Sequence, residues 1–100
     1  MRQQVPKKAI YKVPNGKLLK ILLEDDGEKI INVKITGDFF MHPEDNLEFL
    51  EKSLEGARLN QAILRELISN FLENHPTIFF GVDSDSLVLT ILAAHESENT

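Results

Sequence analysis

Lys17-Leu18-Leu19-Lys20-Ile21-Leu22-Leu23-Glu24-Asp25-Asp26-Gly27-Glu28-Lys29-Ile30-Ile31-Asn32-Val33-Lys34-Ile35-Thr36 is the stretch that decides the fold. Its apolar residues recur at every second position, the period of a half-buried strand. Over residues 17–24, Leu19, Ile21 and Leu23 share one face, with Leu18, Lys20 and Leu22 opposite. Asp25-Asp26-Gly27 has hairpin-turn chemistry. A third strand is expected over 28–36, with Ile31, Val33 and Ile35 inward and Asn32, Lys34 and Thr36 outward. Upstream, Lys8 to Val13 alternates again, with Ala9, Tyr11 and Val13 on one face. Pro14-Asn15-Gly16 links these two runs: Pro fixes φ, and Asn or Gly accepts positive φ. Three strands joined by short turns make an antiparallel meander, one face of which needs cover.

The second half supplies the cover. Pro43 suits the first position of a helix, His42 stands where an N-cap would, and Glu44 and Asp45 favour the positive end of the helix dipole. Leu47, Leu50 and Leu54 form its stripe, with Phe49 beside it, and Gly56 closes it in a left-handed cap. Asn60 caps a second helix whose broad apolar face holds Ile63, Leu64, Leu67, Ile68, Phe71 and Leu72. His75-Pro76 ends it. Ile78-Phe79-Phe80-Gly81-Val82 reads as a fourth strand or a buried loop, with extended structure favoured. Asp83 or Ser84 caps a last helix with Leu87, Val88, Ile91 and Leu92 inward. The expected class is α+β: a small antiparallel sheet of three strands, with a possible short fourth, and about three helices packed on one face. The single domain is placed at residues 8–95, with loose termini at 1–7 and 96–100.

The 100 residues, 42% of them hydrophobic, suit one globular domain. A net charge of −5 argues against chain-wide binding to nucleic-acid phosphates. Charge is nonetheless uneven: Arg2, Lys7, Lys8, Lys12, Lys17 and Lys20 occupy the first twenty residues, without an acid among them. Such a strip is a solvated edge or a surface for an anionic partner. There are no cysteines, which excludes disulfides, thiolate metal sites and cysteine nucleophiles. The N-terminus has no apolar signal-peptide core, and no apolar run approaches the ~18 residues of a membrane span. A cytoplasmic protein that meets no membrane and no nucleic acid is expected.

The connection Gly37-Asp38-Phe39-Phe40-Met41-His42 is more apolar than a surface loop requires, so it folds into a core or meets a partner. Asp38, His42 and Glu44 lie close together, but their spacing matches no closed metal site, so no metal is expected. His75 and His95 stand at helix C-termini, where a cation is favoured. The carboxylate pairs Asp25/Asp26, Glu44/Asp45 and Asp83/Asp85 fall in turns or first helical turns, as capping demands. No Gly-x-Ser-x-Gly elbow or glycine-rich phosphate loop occurs. The residues propose no catalytic group.

Taken in order, Asn15-Gly16-Lys17-Leu18-Leu19-Lys20-Ile21, Ile31-Asn32-Val33-Lys34-Ile35-Thr36-Gly37-Asp38-Phe39-Phe40, Pro43-Glu44 with the Leu47/Leu50/Leu54 helix, and Gly81-Val82 before a capped helix resemble the C-terminal accessory domain of lipoate–protein ligases. The resemblance spans about residues 8–95. It implies a noncatalytic accessory subunit of the archaeal two-chain type, or the same domain cut from a fused enzyme. The catalytic subunit, its heterodimer partner, would handle lipoate, ATP and Mg and form lipoyl-adenylate. The lipoyl group then passes to a lysine of a carrier domain. No cofactor is expected on this chain alone.

The resemblance also marks Gly16, Lys17, Gly37, Asp38, Phe39 and Phe40 as close to the partner and the adenylate. Lys17 points at the nucleotide phosphates or at an acidic patch of the catalytic chain, or is a solvated strand-end lysine. Adjacent residues of an extended segment point opposite ways, so one of Phe39 and Phe40 packs under the first helix and the other meets the partner. Gly37 permits the sharp strand exit, and Asp38 fixes the loop or reaches a basic group on the partner. The turn departs from the family in having Asn15 where a second glycine is common. The alternative from another class is a free-standing protein-binding adaptor without nucleotide chemistry.

Overall fold

The computed structural model describes residues 6–97. Of the ends expected to be loose, 1–7 and 96–100, residues 1–5 and 98–100 lie outside the description, as does Arg2 of the basic strip, whereas Lys7 lies in a strand and Glu96 in a helix. Strands β1 (Lys7–Lys12), β2 (Leu18–Asp25) and β3 (Ile30–Gly37) form an antiparallel sheet in the order β1-β2-β3. A short strand, β4 (Phe40–His42), and helices α1 (Asp45–Leu54) and α2 (Gln61–Asn74) follow. Strand β5 (Ile78–Phe80) and helix α3 (Ser84–Glu96) complete the order. This is the expected α+β arrangement. Among the described residues no helix is long and apolar enough to cross a membrane.

The period-two pattern becomes the core directly. Leu19, Ile21 and Leu23 of β2 are wholly buried, and Val33 and Ile35 of β3 join them. Each such side chain contributes about 1.5–3 kcal/mol on burial. Helix α1 packs on β3, and α3 packs on β1 and β2. Leu50, Leu54, Leu87 and Ile91 close the core from above. Helix α2 rests on α1 and α3 rather than on the sheet. Its buried face is therefore narrower than the sequence pattern: Leu64, Ile68 and Phe71 are buried, while Ile63 stays exposed and Leu67 and Leu72 are half-buried.

The inward phase of β3 differs from expectation at one point. Ile30 is buried and Ile31 is exposed. Glu24 pairs with Asn32 but Asp25 with Ile30, so Ile31 is an extra residue opposite no partner. A bulge of this kind reverses the alternation across it. Beyond the bulge, Val33 and Ile35 point inward as the pattern requires.

Helix boundaries follow their caps. Asn60 Oδ1 accepts from the backbone N–H of Ala62 and of Ile63. Asp83, rather than Ser84, caps α3 by accepting from Ser86 N–H at 2.7 Å. Gly56 follows α1 at φ 85°, the expected left-handed closure. The start of α1 is a correction. The helix begins at Asp45 with Glu44 at the N-cap and no side-chain cap, not at Pro43. Residues 40–42 are drawn into β4, which delays the helix past the proline.

Candidate functional site

The two peptide segments singled out in the sequence meet at one end of the sheet. The Val13–Lys17 turn is closed by Gly16 N–H donating to Val13 O at 2.8 Å and Val13 N–H to Lys17 O at 3.1 Å. Lys12 Nζ donates to Gly16 O at 2.8 Å from outside. Asn15 takes φ 59°, the left-handed conformation that asparagine tolerates and glycine adopts freely. The close approach falls on Gly16 instead. A Cβ there would lie 2.6 Å from Gly81 O and 2.9 Å from Val13 Cγ1.

Gly37 ends β3 at φ 145°, in the region that favours glycine. A Cβ at Gly37 would collide with Leu18 O and lie 3.1 Å from Leu19 Cα. The next residue turns back on the same carbonyl: Asp38 N–H donates to Leu18 O at 3.0 Å. The Asp38 side chain itself is exposed. Gly37 thus makes the sharp exit expected of it, for two reasons at once, conformation and contact.

From that exit the chain enters β4, which pairs antiparallel with β5: Phe40 with Phe80, Met41 with Phe79, His42 with Ile78. The connection read as a loop is half of a two-stranded ribbon, and the Ile78–Phe80 run is its other half rather than a fourth strand of the main sheet. A two-stranded ribbon alone is marginal. This one is held by its inner face, where Met41 is buried and Phe79 packs on the core. Asn46 Nδ2, at the start of α1, donates to Thr77 Oγ1 at 2.8 Å and ties down the entry to β5.

Alternation settles which phenylalanine is free. Phe39 packs on the core, and Phe40 faces outward, 49% exposed. Opposite it stands Phe80, 58% exposed, with ring centroids 6.1 Å apart. Ile78, 55% exposed, extends the same face. Gly81 then leaves β5 at φ 85°, and its carbonyl accepts from Lys17 N–H at 2.8 Å. The Lys17 side-chain stem occupies the space a Cβ on Gly81 would need. The exposed Lys17 is thereby fixed beside the aromatic ribbon through the strand that carries Phe80.

All six residues marked in the sequence, Gly16, Lys17, Gly37, Asp38, Phe39 and Phe40, therefore gather at one corner. Sequence reasoning missed Ile78, Phe80 and Gly81 as its second half. The signal was the repetition of a Phe-Phe pair beside a glycine, Phe39-Phe40 after Gly37 and Phe79-Phe80 before Gly81. The Asp38, His42 and Glu44 side chains are all exposed, and among the described residues no three His, Asp or Glu side chains gather as metal ligands.

Residues 10–90 match the family described as "Bacterial lipoate protein ligase C-terminus". The chain belongs to the lipoate–protein ligase C-terminal family. Lipoate-protein ligase A subunit 2 of Thermoplasma acidophilum is 34% identical over 78 residues, which is 78% of this chain and 79% of that protein. A solved structure of the archaeal bi-partite lipoate protein ligase and its E2 lipoyl domain, from the same organism, superposes with a TM-score of 0.69. That match is 28% identical and covers 91% of this chain and 97% of the other. The resemblance read from the sequence is thus borne out at the level of family.

At the far end of the molecule lies a cluster unrelated to the corner. The Asp25 side chain, 2% exposed, accepts from Gly27 N–H at 2.9 Å. It also pairs with His95 Nδ1 at 3.1 Å and Lys7 Nζ at 3.3 Å. Burial pushes the Asp25 carboxyl up, but the hydrogen bonds from His95, Gly27 and Lys7 together outweigh it and hold it below the usual carboxylate value. Lys7 Nζ also donates to His95 O at 3.1 Å, which staples β1 to the end of α3. This cluster is a structural tie.

Proposed function

We propose that this chain is the accessory subunit of a two-chain, ATP-dependent lipoate–protein ligase. It is needed with the catalytic subunit to activate lipoate to lipoyl-adenylate, before the lipoyl group passes to a lysine of a carrier protein. The observation that carries this reading is 34% identity, over 78% of the chain, to a protein named lipoate-protein ligase A subunit 2. The corner supplies a physical means. Phe40, Phe80 and Ile78 form an aromatic-aliphatic anchor of the kind that dominates binding energy at interfaces. Behind Phe40 lies a depression of about 330 Å³ lined by Gly37, Phe39, Met41, Glu44 and Leu47, which suits a protruding partner side chain.

Among the described residues the corner holds two lysines, Lys17 and Lys12, and the Lys12 ammonium is taken up by carbonyls of its own turn, so the corner is not read as a nucleotide site by itself. Lipoate, ATP and Mg are assigned to the catalytic chain. Docking on a rigid corner holds that chain's loops in order, which lowers the entropic part of the adenylation barrier. Lys17, fixed against Gly81, then adds positive charge at the edge of the partner's site. The chain is cytoplasmic in this reading.

The test mixes this chain with a catalytic subunit, lipoate and ATP and follows pyrophosphate release. Release that is the same with and without the chain refutes the reading. A stable complex with unchanged release selects the adaptor alternative. Lys17→Ala separates the roles of that residue: slower release with intact binding places it toward the nucleotide, and weaker binding places it on an acidic patch of the partner.

A further inference from the structure

The helices cover only one face of the main sheet, and the other face is distinctive in charge. Across the three strands, Lys8, Leu22 and Lys34 form one cross-strand row, Ile10, Lys20 and Thr36 the next, and Lys12 and Leu18 a third. Ile10 is 56% exposed and Leu18 39%. Four of the chain's eleven cations project from this face with a single acid of the strands, Glu24, while at the β3 edge Lys34 also borders a groove lined by Glu48, Glu51 and Glu55 of α1; the rest of the molecule is strongly acidic. Among the described residues none of Lys8, Lys20 and Lys34 is in an ion pair. Lys12 is engaged, since its ammonium donates to carbonyls of its own turn.

This pattern is a poor core for a permanent interface. Lysine is strongly hydrated and depleted from the buried centre of stable interfaces. It is well suited to a partner that arrives by electrostatic steering and leaves after each turnover. A single-stranded nucleic acid would need stacking aromatics, and the rows carry none. The aromatic corner, by contrast, has the composition of a lasting contact.

We infer that the open face of β1-β2-β3 is an encounter surface for the acidic side of the protein that accepts the acyl group. The inference rests on the proposed ligase function, because only that reaction gives the chain a transient protein substrate. In it, the subunit has two partners on separate surfaces. The catalytic chain sits on the Phe40/Phe80 corner, and the acceptor is drawn in across the lysine rows.

The experiment uses the two-chain enzyme with a purified E2 lipoyl domain and the triple variant Lys8→Glu/Lys20→Glu/Lys34→Glu. These side chains lie outside the core, and a thermal melt checks that the variant folds. The KM for the lipoyl domain is expected to rise about tenfold at low salt, and its dependence on ionic strength to flatten. Pyrophosphate release before transfer, and co-elution with the catalytic chain, stay as in the unsubstituted enzyme. An unchanged KM overturns the inference. So does loss of co-elution, which would make the face part of the subunit interface. Equally tight binding of a short DNA duplex or of anionic vesicles, lost in the variant, overturns it in favour of those ligands. If the unsubstituted chain does not stimulate pyrophosphate release, the ligase reading itself has failed, whatever the lysines do.

Discussion

Phe40→Ala separates the partner-binding role of the corner from its role in folding. Phe40 is 49% exposed, whereas its neighbour Phe39 packs on the core. A phenylalanine presents roughly 200 Å², so about 100 Å² of Phe40 remains for a partner to cover. At ~25 cal/mol/Å², less the methyl that alanine keeps, its loss weakens docking by about 2 kcal/mol. That is ~30-fold in Kd for the catalytic chain. The chain's own stability suffers far less, because only the cross-strand contact with Phe80 goes, worth about 0.5–1 kcal/mol. Phe39→Ala is the mirror experiment: about 2 kcal/mol of stability should be lost by removing a half-buried ring that packs on the core. Titration calorimetry with the catalytic chain and thermal melts of the free chain read both quantities. If Phe40→Ala binds with the unsubstituted Kd, or if Phe39→Ala impairs binding while leaving the melt unchanged, the assignment of outward and inward phenylalanines to these jobs is wrong.

Other substitutions probe the scaffold beneath the corner. Gly37→Ala should cost more than about 2 kcal/mol by urea titration, since it strains a φ of 145° and drives a Cβ into Leu18 O. Gly27→Ala, at φ 96° but in open space, should cost only about 1 kcal/mol in the same titration. Asn60→Ala removes both acceptor contacts at the start of α2 and should lower stability by about 1 kcal/mol in thermal melts. Asp25 has a folded-state pKa below its ordinary value of 3.8, so its contribution is fully present above about that pH and is lost as pH falls through the folded value. Urea midpoints should therefore place Asp25→Asn well below the unsubstituted chain at pH 7, with the gap closing progressively below pH ~3.8. A gap that widens on acidification contradicts the pairing with Lys7 and His95.

The sheet and helices were legible because each depends on a local signal. Period-two apolar runs, the Asn60 cap and the Gly56 closure are set within a few residues, and apart from Ile31 they appear where the sequence places them. What was not legible depends on pairing between distant segments. The bulge at Ile31 arises from how β3 meets β2 at Glu24 and Asp25, and no property of Ile31 itself announces it. Likewise, Phe40–His42 has no strand signature by itself, because it is three residues long and ends at a proline. It becomes a strand only because Ile78–Phe80, nearly forty positions later, supplies the backbone groups it needs. The Asp25–His95–Lys7 tie was missed for the same reason: its members come from β2, α3 and β1.

The corner's rigidity follows from that same long-range pairing. Leu18 O holds the exit of β3 through Asp38 N–H, and Gly81 O holds Lys17 N–H, so the start of β2 clamps both strands of the ribbon. Phe40 and Phe80 are fixed relative to Lys17 by these backbone hydrogen bonds as well as by the packing of Met41 and Phe79 beneath the ribbon. A flexible aromatic loop would lose conformational entropy on docking, whereas a clamped ribbon has already lost it on folding. Three glycines make the clamp possible, because at Gly16, Gly37 and Gly81 a Cβ would strike the neighbouring segment. The motif glycines therefore act on binding through geometry, and substituting any of them should misplace the aromatic anchor even though none is part of the exposed apolar face.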